Sequence, residues 1–123
     1  MPKTNIKTIR QQDGERAEQL AQDYLTQQGL RLVEKNFRCK LGEIDLIMQH
    51  MNTLVFIEVR YRKSNAFGGA AASITPAKQQ KVRRAASYYL QRLTEQPPCR
   101  FDVVTLMKNG DDIDCSNWIQ NAF

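Results

Sequence analysis

The sequence of 123 residues has few of the residues that build zinc sites, disulfide frameworks or membrane spans. It contains one histidine, His50, and three widely spaced cysteines, Cys39, Cys99 and Cys115, with no Cys-x-x-Cys pair. This spacing lacks a zinc pattern, does not favour a Cys/His catalytic pair, and predicts three inert, reduced thiols. No segment approaches the roughly 18 apolar residues of a membrane helix, and no apolar stretch follows the basic N-terminus as in a secretory signal. We therefore expect a cytoplasmic protein without a membrane partner.

The composition is that of an ordinary globular chain with a basic excess. Hydrophobic residues make up 41% and charged residues 25% of the sequence, and the net charge is +5. The positive balance favours an anionic partner, with nucleic acid as the leading candidate. No internal repeat or linker divides the chain, so we assign 1–12 to a flexible basic N-terminus and 13–123 to a single domain.

Hydrophobic periodicity predicts the element order α-β-β-β-α-β, a mixed sheet flanked by helices. The expected elements are a helix between Asp13 and Gly29, strands over 30–38, 42–49 and 54–62, a small-residue loop over 64–73, a helix from Thr75-Pro76, and a strand over 101–106. The tail through Trp118 is ambiguous. The fold class is therefore α/β.

Two of the predicted strands contain acidic residues within otherwise buried sequence, Gly42-Glu43-Ile44-Asp45-Leu46-Ile47 and Phe56-Ile57-Glu58-Val59-Arg60. Burying a carboxylate is costly unless a cation or donors compensate it. A hairpin turning between the segments would place Asp45 opposite Glu58, with Cβ atoms about 4.5–5.5 Å apart, where like charges repel. A divalent metal is the obvious partner, and Mg²⁺ suits carboxylate ligands. On spacing alone, a solvent-facing edge hairpin is the alternative.

Basic residues accompany this acidic pair. The two-residue period of a strand predicts that Arg60 shares a face with Glu58. Further basic residues follow the third strand and occupy the second helix, and they are candidates for contacts with phosphates: Arg62, Lys63, Lys78, Lys81, Arg83 and Arg84. The alternative is a solvated helix face. The tyrosines, including Tyr88, are expected in the core and not as platforms for bases.

Taken together, these motifs resemble the YraN family, small bacterial proteins similar to archaeal Holliday-junction resolvases and restriction endonucleases. The resemblance covers about Gly14 to Leu106. It rests on Glu18, Asn36, Arg38, the two acidic segments, Phe67-Gly68, Lys78 and Arg100-Phe101-Asp102-Val103-Val104.

The resemblance implies a restriction-endonuclease-like fold with an Asp…Glu-x-Lys metal site. Asp45 and Glu58 match its two metal-binding acids, and Glu18 matches an additional acid on a helix. The implied function is Mg²⁺- or Mn²⁺-dependent cleavage of DNA, including branched or junction structures. Related resolvases act as dimers, so a homodimer is open for this chain, although no interface signature in the sequence decides its oligomeric state.

Arg60 departs from the nuclease pattern, which usually has lysine at this position. Arginine stays protonated, so it can stabilise charge but cannot exchange a proton. Three alternatives are open. In the first, Arg60 replaces the lysine with weaker catalysis as the result, and in the second it binds a phosphate oxygen itself. In the third alternative, the needed cation comes from Lys78 or Lys81 on the second helix. A non-catalytic nucleic-acid-binding module and a protein-interaction adaptor are the functional alternatives to a nuclease.

Overall fold

The computed structural model describes residues 9–63 and 74–123, and these form two helices and five strands. In chain order the elements are α1 Ile9–Gln27, β1 Arg31–Cys39, β2 Gly42–His50, β3 Thr53–Arg62, α2 Pro76–Leu90, β4 Cys99–Asn109 and β5 Asp112–Ile119. The expected mixed α/β architecture is confirmed. The likeness of the fold to restriction endonucleases stays a prediction. The expectations for residues 1–8 and for the loop over 64–73, with Phe67-Gly68, lie outside the described residues.

The five strands lie side by side in chain order, β1 to β5. All neighbours are antiparallel except β3 and β4, which run parallel. A parallel pair needs a crossover connection, and α2 lies in the connection between these two strands. The helices cover opposite faces of the sheet. On one face α1 packs through Ala17, Ala21 and Leu25, and on the other α2 packs through Val82, Ala85, Ala86 and Tyr89.

Two features of the sequence prediction were wrong or incomplete. Helix α1 begins at Ile9, four residues before the start expected at Asp13. Asp13 thus lies within the helix, where its carboxylate accepts a hydrogen bond from the Tyr61 hydroxyl at 3.4 Å. The ambiguous tail forms β5. Its signal was the Asn109-Gly110 dipeptide, typical of a hairpin turn, where Gly110 has a φ of 63°.

Helix α2 begins as expected and lies directly on β2. The Thr75 hydroxyl accepts a hydrogen bond from the Lys78 backbone N–H at 3.1 Å, and Pro76 occupies the first turn. A Cβ atom added to Gly42 would lie 2.8 Å from the Lys81 carbonyl oxygen, closer than side chains tolerate. The absence of a side chain at Gly42 therefore allows α2 to rest on the backbone at the start of β2.

Two further expectations concern the cysteines and membrane spans. Cys39, Cys99 and Cys115 are all free thiols, as predicted. Neither α1 nor α2, the helices of the described ranges, has the length and apolar character needed to cross a membrane.

Candidate functional site

Strands β2 and β3 pair in the register that the sequence predicted for the acidic hairpin. Their ladder runs from His50↔Thr53 to Leu46↔Ile57, one pair short of Asp45 and Glu58. At that point Asp45 Oδ2 accepts a hydrogen bond from the Val59 backbone N–H at 2.8 Å. The Asp45 carboxylate therefore takes the place of a backbone carbonyl as the acceptor for the Val59 N–H. This hydrogen bond holds the carboxylate beside Glu58.

The pairing is also irregular on the β1 side of Asp45. The β1–β2 register places Asn36 opposite Asp45, and Asn36 has a φ of 54°, a left-handed conformation that asparagine adopts more readily than most residues. Ile44 packs on the α2 face of the sheet and Leu46 on the α1 face, although they are two positions apart. The regular alternation of side chains is thus interrupted at Asp45, at a point where both helices approach the sheet.

Glu58 is buried beneath α2. Its side chain is 5% exposed, and Oε1 lies 3.5 Å from Lys78 Nζ. The other oxygen, Oε2, is buried and has no hydrogen-bond partner within residues 9–63 and 74–123. Most buried carboxylate oxygens have a donor. An oxygen without one is available to a proton or to a metal ion.

The surroundings of this acidic pair oppose its ionisation. Burial, followed by the charge of Asp45, raises the pKa of Glu58 to about 8, whereas the charges of Lys78 and Arg60 act in the opposite direction. Burial also raises the pKa of Asp45, and the Val59 hydrogen bond and the Lys78 charge partly counteract it. Desolvation disfavours the charged form of each carboxyl, and for Glu58 the repulsion by Asp45 adds to it.

Glu18 on α1 contributes a third acid near the pair. Burial, then the charges of Asp45 and Glu43, raises its pKa to about 7, and a hydrogen bond with Asn36 lowers it. Glu18 also lines a cavity of about 330 Å³ between α1 and β1, whose other walls include Lys35, Asn36 and Leu46. Glu18 on α1 therefore interacts electrostatically with Asp45.

Among the predicted cationic residues, the structure brings two close to the acids. Lys78 contacts Glu58 directly. Arg60 is half-buried, its charge interacts with those of Glu58 and Asp45, and burial lowers the pKa of its guanidinium. The remaining predicted phosphate contacts are half-buried Arg62 and exposed Lys63, Lys81, Arg83 and Arg84.

Sequence reasoning missed the surface position of Tyr88, whose assignment to the core is wrong. Its residue surface is 47% exposed, whereas the neighbouring Tyr89 is buried at 8%. Consecutive helix residues point in different directions, so only one of two adjacent tyrosines can face the sheet. The buried positions Val82, Ala85 and Ala86 mark the inward stripe, and Tyr88 falls on its flank.

These features define a small mixed α/β protein with a pair of carboxylates, one buried and one half-buried, at an irregularity of its sheet. The family model described as "Uncharacterised protein family UPF0102" matches residues 17–106. A UPF0102 protein of Nitrosomonas eutropha is 57% identical over 110 residues, covering 89% of this chain and 91% of the relative. One of Nitrosococcus oceani is 54% identical over 114 residues, with 89% and 90% covered. The chain belongs to the UPF0102 family, which confirms its resemblance to the YraN family.

Proposed function

We propose that this chain is a divalent-metal-dependent endonuclease that acts on DNA of branched or junction structure in the cytoplasm. The observation that carries the proposal is the pair of half-buried Asp45 and buried Glu58, in which Glu58 Oε2 has no hydrogen-bond donor within the described residues. Raised pKa values for both carboxyls support it, because perturbed acids cluster at functional sites. The positive net charge of +5 supports an anionic substrate.

The donor set fits Mg²⁺ or Mn²⁺. These ions accept one or two carboxylates and keep several waters, so two acids are sufficient. Within residues 9–63 and 74–123, no group of three or more His, Cys, Asp or Glu side chains is close enough to hold an ion. Asp45 and Glu58 would therefore hold it as a pair, and direct ligation by Glu18 stays a prediction. When bound, such an ion would supply Lewis-acid polarisation of the phosphodiester and activation of water at neutral pH.

The residues of the chain have distinct roles in this proposal. The Val59 N–H fixes the Asp45 carboxylate, and Lys78 orients Glu58. Glu18, with a pKa of about 7, can accept or release a proton near neutral pH. Arg60 carries a charge beside the pair and can donate to a non-bridging phosphate oxygen.

Lys78 can supply the lysine charge that the nuclease motif carries on the strand, where this chain has Arg60. Its ammonium lies 3.5 Å from Glu58 Oε1, although it comes from α2 and not from position 60. Lysine is a compact charge whose pKa responds to its surroundings, whereas the arginine charge is fixed. We therefore assign the lysine role to Lys78 and the phosphate-clamping role to Arg60.

The test is single-turnover cleavage of a duplex, a flap and a four-way junction with Mg²⁺ or Mn²⁺. We expect Asp45→Asn and Glu58→Gln to lower the rate by at least about 100-fold, and Lys78→Ala to lower it more than Arg60→Lys. Glu43→Gln is the matched control, because Glu43 neighbours the pair but is half-exposed and paired with Arg38 at 3.2 Å. Failure of the wild-type protein to cut any substrate with either ion would overturn the proposal.

The Lys78–Glu58 ion pair also favours a second candidate, a nucleic-acid-binding module without catalysis. The positive charge of Lys78 offsets part of the negative charge of Glu58, which a metal ion would otherwise neutralise. This candidate predicts salt-dependent DNA binding that Asp45→Ala leaves unchanged, and no heat of Mg²⁺ binding in calorimetry. Metal binding that Asp45→Ala removes would exclude it.

A further inference from the structure

A shallow groove of about 270 Å³ lies on the outer side of α2. Leu41, Arg83, Arg84 and Tyr88 line it together with uncharged polar side chains, and no acidic side chain of the described residues contributes to its wall. Leu41 and Tyr88 are each 47% exposed. The groove thus combines an aromatic ring, an aliphatic side chain and two arginines on an open surface.

The ring of Tyr88 is supported on one side. It packs against Phe37 with the ring centroids 6.4 Å apart and the planes tilted by 33°. This contact restricts the ring while nearly half of the residue surface remains exposed. A restrained aromatic ring is suited to stacking, because little side-chain entropy is lost when a flat partner binds.

A stripe of basic residues connects this groove with the buried acids. Lys78, Lys81, Arg84 and Tyr88 follow one another at spacings of three, three and four, which places them along one flank of α2. The stripe spans about 15 Å at 1.5 Å per residue. It begins at the contact between Lys78 and Glu58 and ends at the groove.

We propose that the groove binds a single-stranded nucleic-acid segment, with an unpaired base stacked on Tyr88 and phosphates on Lys81 and Arg84. Charge complementarity carries this choice of occupant, since a wall with two arginines and no acid suits a polyanion. Base stacking on aromatic rings is independent of sequence. The two exposed apolar residues provide too little area for a stable protein partner. The inference rests on the proposed function, and narrows its substrate to DNA with an unpaired strand beside the cleavage site.

The test is the fluorescence anisotropy of a labelled single-stranded oligonucleotide with the full-length chain in EDTA, where cleavage does not interfere. We expect Tyr88→Ala to weaken binding about tenfold and Tyr88→Phe to leave it unchanged, because phenylalanine keeps the ring. Binding of a blunt duplex should respond to neither change. Equal binding of single strands by Tyr88→Ala and wild type, or equal losses for the alanine and phenylalanine variants, would overturn the inference.

A matched pair of charge variants tests the stripe. Arg84→Ala should weaken binding and lower the magnitude of the salt slope by about 1, as expected for a lost phosphate contact. Arg16→Ala removes the same charge from α1, on the other face of the sheet, and should leave the slope unchanged. An unchanged slope for Arg84→Ala would argue against the phosphate contacts.

The outcomes separate this inference from the proposed function. Metal-dependent cleavage without any effect of Tyr88→Ala on single-strand binding would support the proposed nuclease function and overturn the inference that the groove binds single strands. Conversely, Tyr88-dependent binding by a protein that cuts no substrate would support the groove and overturn the nuclease.

Discussion

Two neighbouring strands of the sheet bury carboxylates in opposite ways. Asp102 of β4 has no exposed surface, and its oxygens accept hydrogen bonds from Arg100 Nε at 3.0 and 3.1 Å, Trp118 Nε1 at 3.0 Å and the Asn121 backbone N–H at 3.1 Å. Glu58 of β3 contacts Lys78 at 3.5 Å and forms a side-chain hydrogen bond with Asp45, and its Oε2 has no donor within the described part of the chain. Two carboxylates with similarly small exposed surfaces therefore differ sharply in the number of hydrogen-bond donors around them.

The satisfied acid holds the last strand in place. Asp102 joins β4 to Trp118 in β5 and to Asn121 beyond it. Arg100 also donates to His50 Nδ1 at 2.8 Å, which extends the network to the end of β2. The donors around Asp102 thus connect three strands, whereas the pair at Asp45 and Glu58 lies where β2 and β3 diverge.

The largest expected effect is the loss of the satisfied acid. We expect Asp102→Ala to lower the free energy of unfolding by about 3–5 kcal/mol, because Arg100 would be left buried without its carboxylate. Urea denaturation measures this. Asp112→Ala is the control, since its ion pair with Arg16 is exposed and is expected to contribute at most about 1 kcal/mol. Equal losses for the two variants would contradict the structural role of Asp102.

A smaller effect is expected from metal at the unsatisfied pair. Mg²⁺ at about 100 times its dissociation constant should stabilise the wild-type protein by about 2.7 kcal/mol. Protons compete for the same oxygens, so stabilisation should be greater at pH 8.5 than at pH 5.5, given the Glu58 pKa of about 8. Thermal denaturation with and without the ion tests this. A Glu58→Gln variant that responds to Mg²⁺ as the wild type does would count against the site.

The third expected effect, that of Glu58→Gln in EDTA, depends on pH. The folded state keeps the Glu58 proton up to about pH 8, whereas the unfolded state releases it near pH 4.5. Wild-type stability should therefore fall as the pH rises through this window, and the full loss should be present above pH 8. A pKa difference of one corresponds to about 1.4 kcal/mol.

Glutamine does not ionise, so the variant should be more stable than wild type by several kcal/mol at pH 8.5, at about 1.4 kcal/mol for each unit of the pKa difference, with no gain at pH 4. Urea denaturation at the two pH values measures the difference. A variant less stable than wild type at both pH values would indicate that Glu58 is structural, as Asp102 is.

Local features of the fold were predictable from the sequence. The register of the β2–β3 hairpin follows from the position of its turn, so the approach of Asp45 to Glu58 could be predicted from residue numbers. Thr75-Pro76 marked the start of α2, because threonine can cap a helix N-terminus and proline is favoured at the first helical position. By contrast, β5 was missed because its strand has only one buried position, Ile113, and therefore little hydrophobic pattern.

The site was less predictable, because its contacts join distant elements. Contact between Lys78 and Glu58 depends on where α2 docks after the crossover, which residue spacing does not specify. The influence of Glu18 depends on α1 approaching the same point from the opposite face. The left-handed conformation of Asn36 is compatible with its residue type but not specified by it. Electrostatic interactions of this kind can be predicted only when the tertiary arrangement of the helices and strands is known.

The close contact between α2 and Gly42 restricts which residues can occupy position 42. Because a methyl group at this position would collide with the Lys81 carbonyl at 2.8 Å, Gly42→Ala can be accommodated only if the helix shifts away from β2. A rigid helix moves as a unit, so the shift would carry Lys78 away from Glu58 and Tyr88 away from Phe37 together. One small residue that takes part in neither contact thus sets the alignment of both, and a change there would alter two parts of the helix at once.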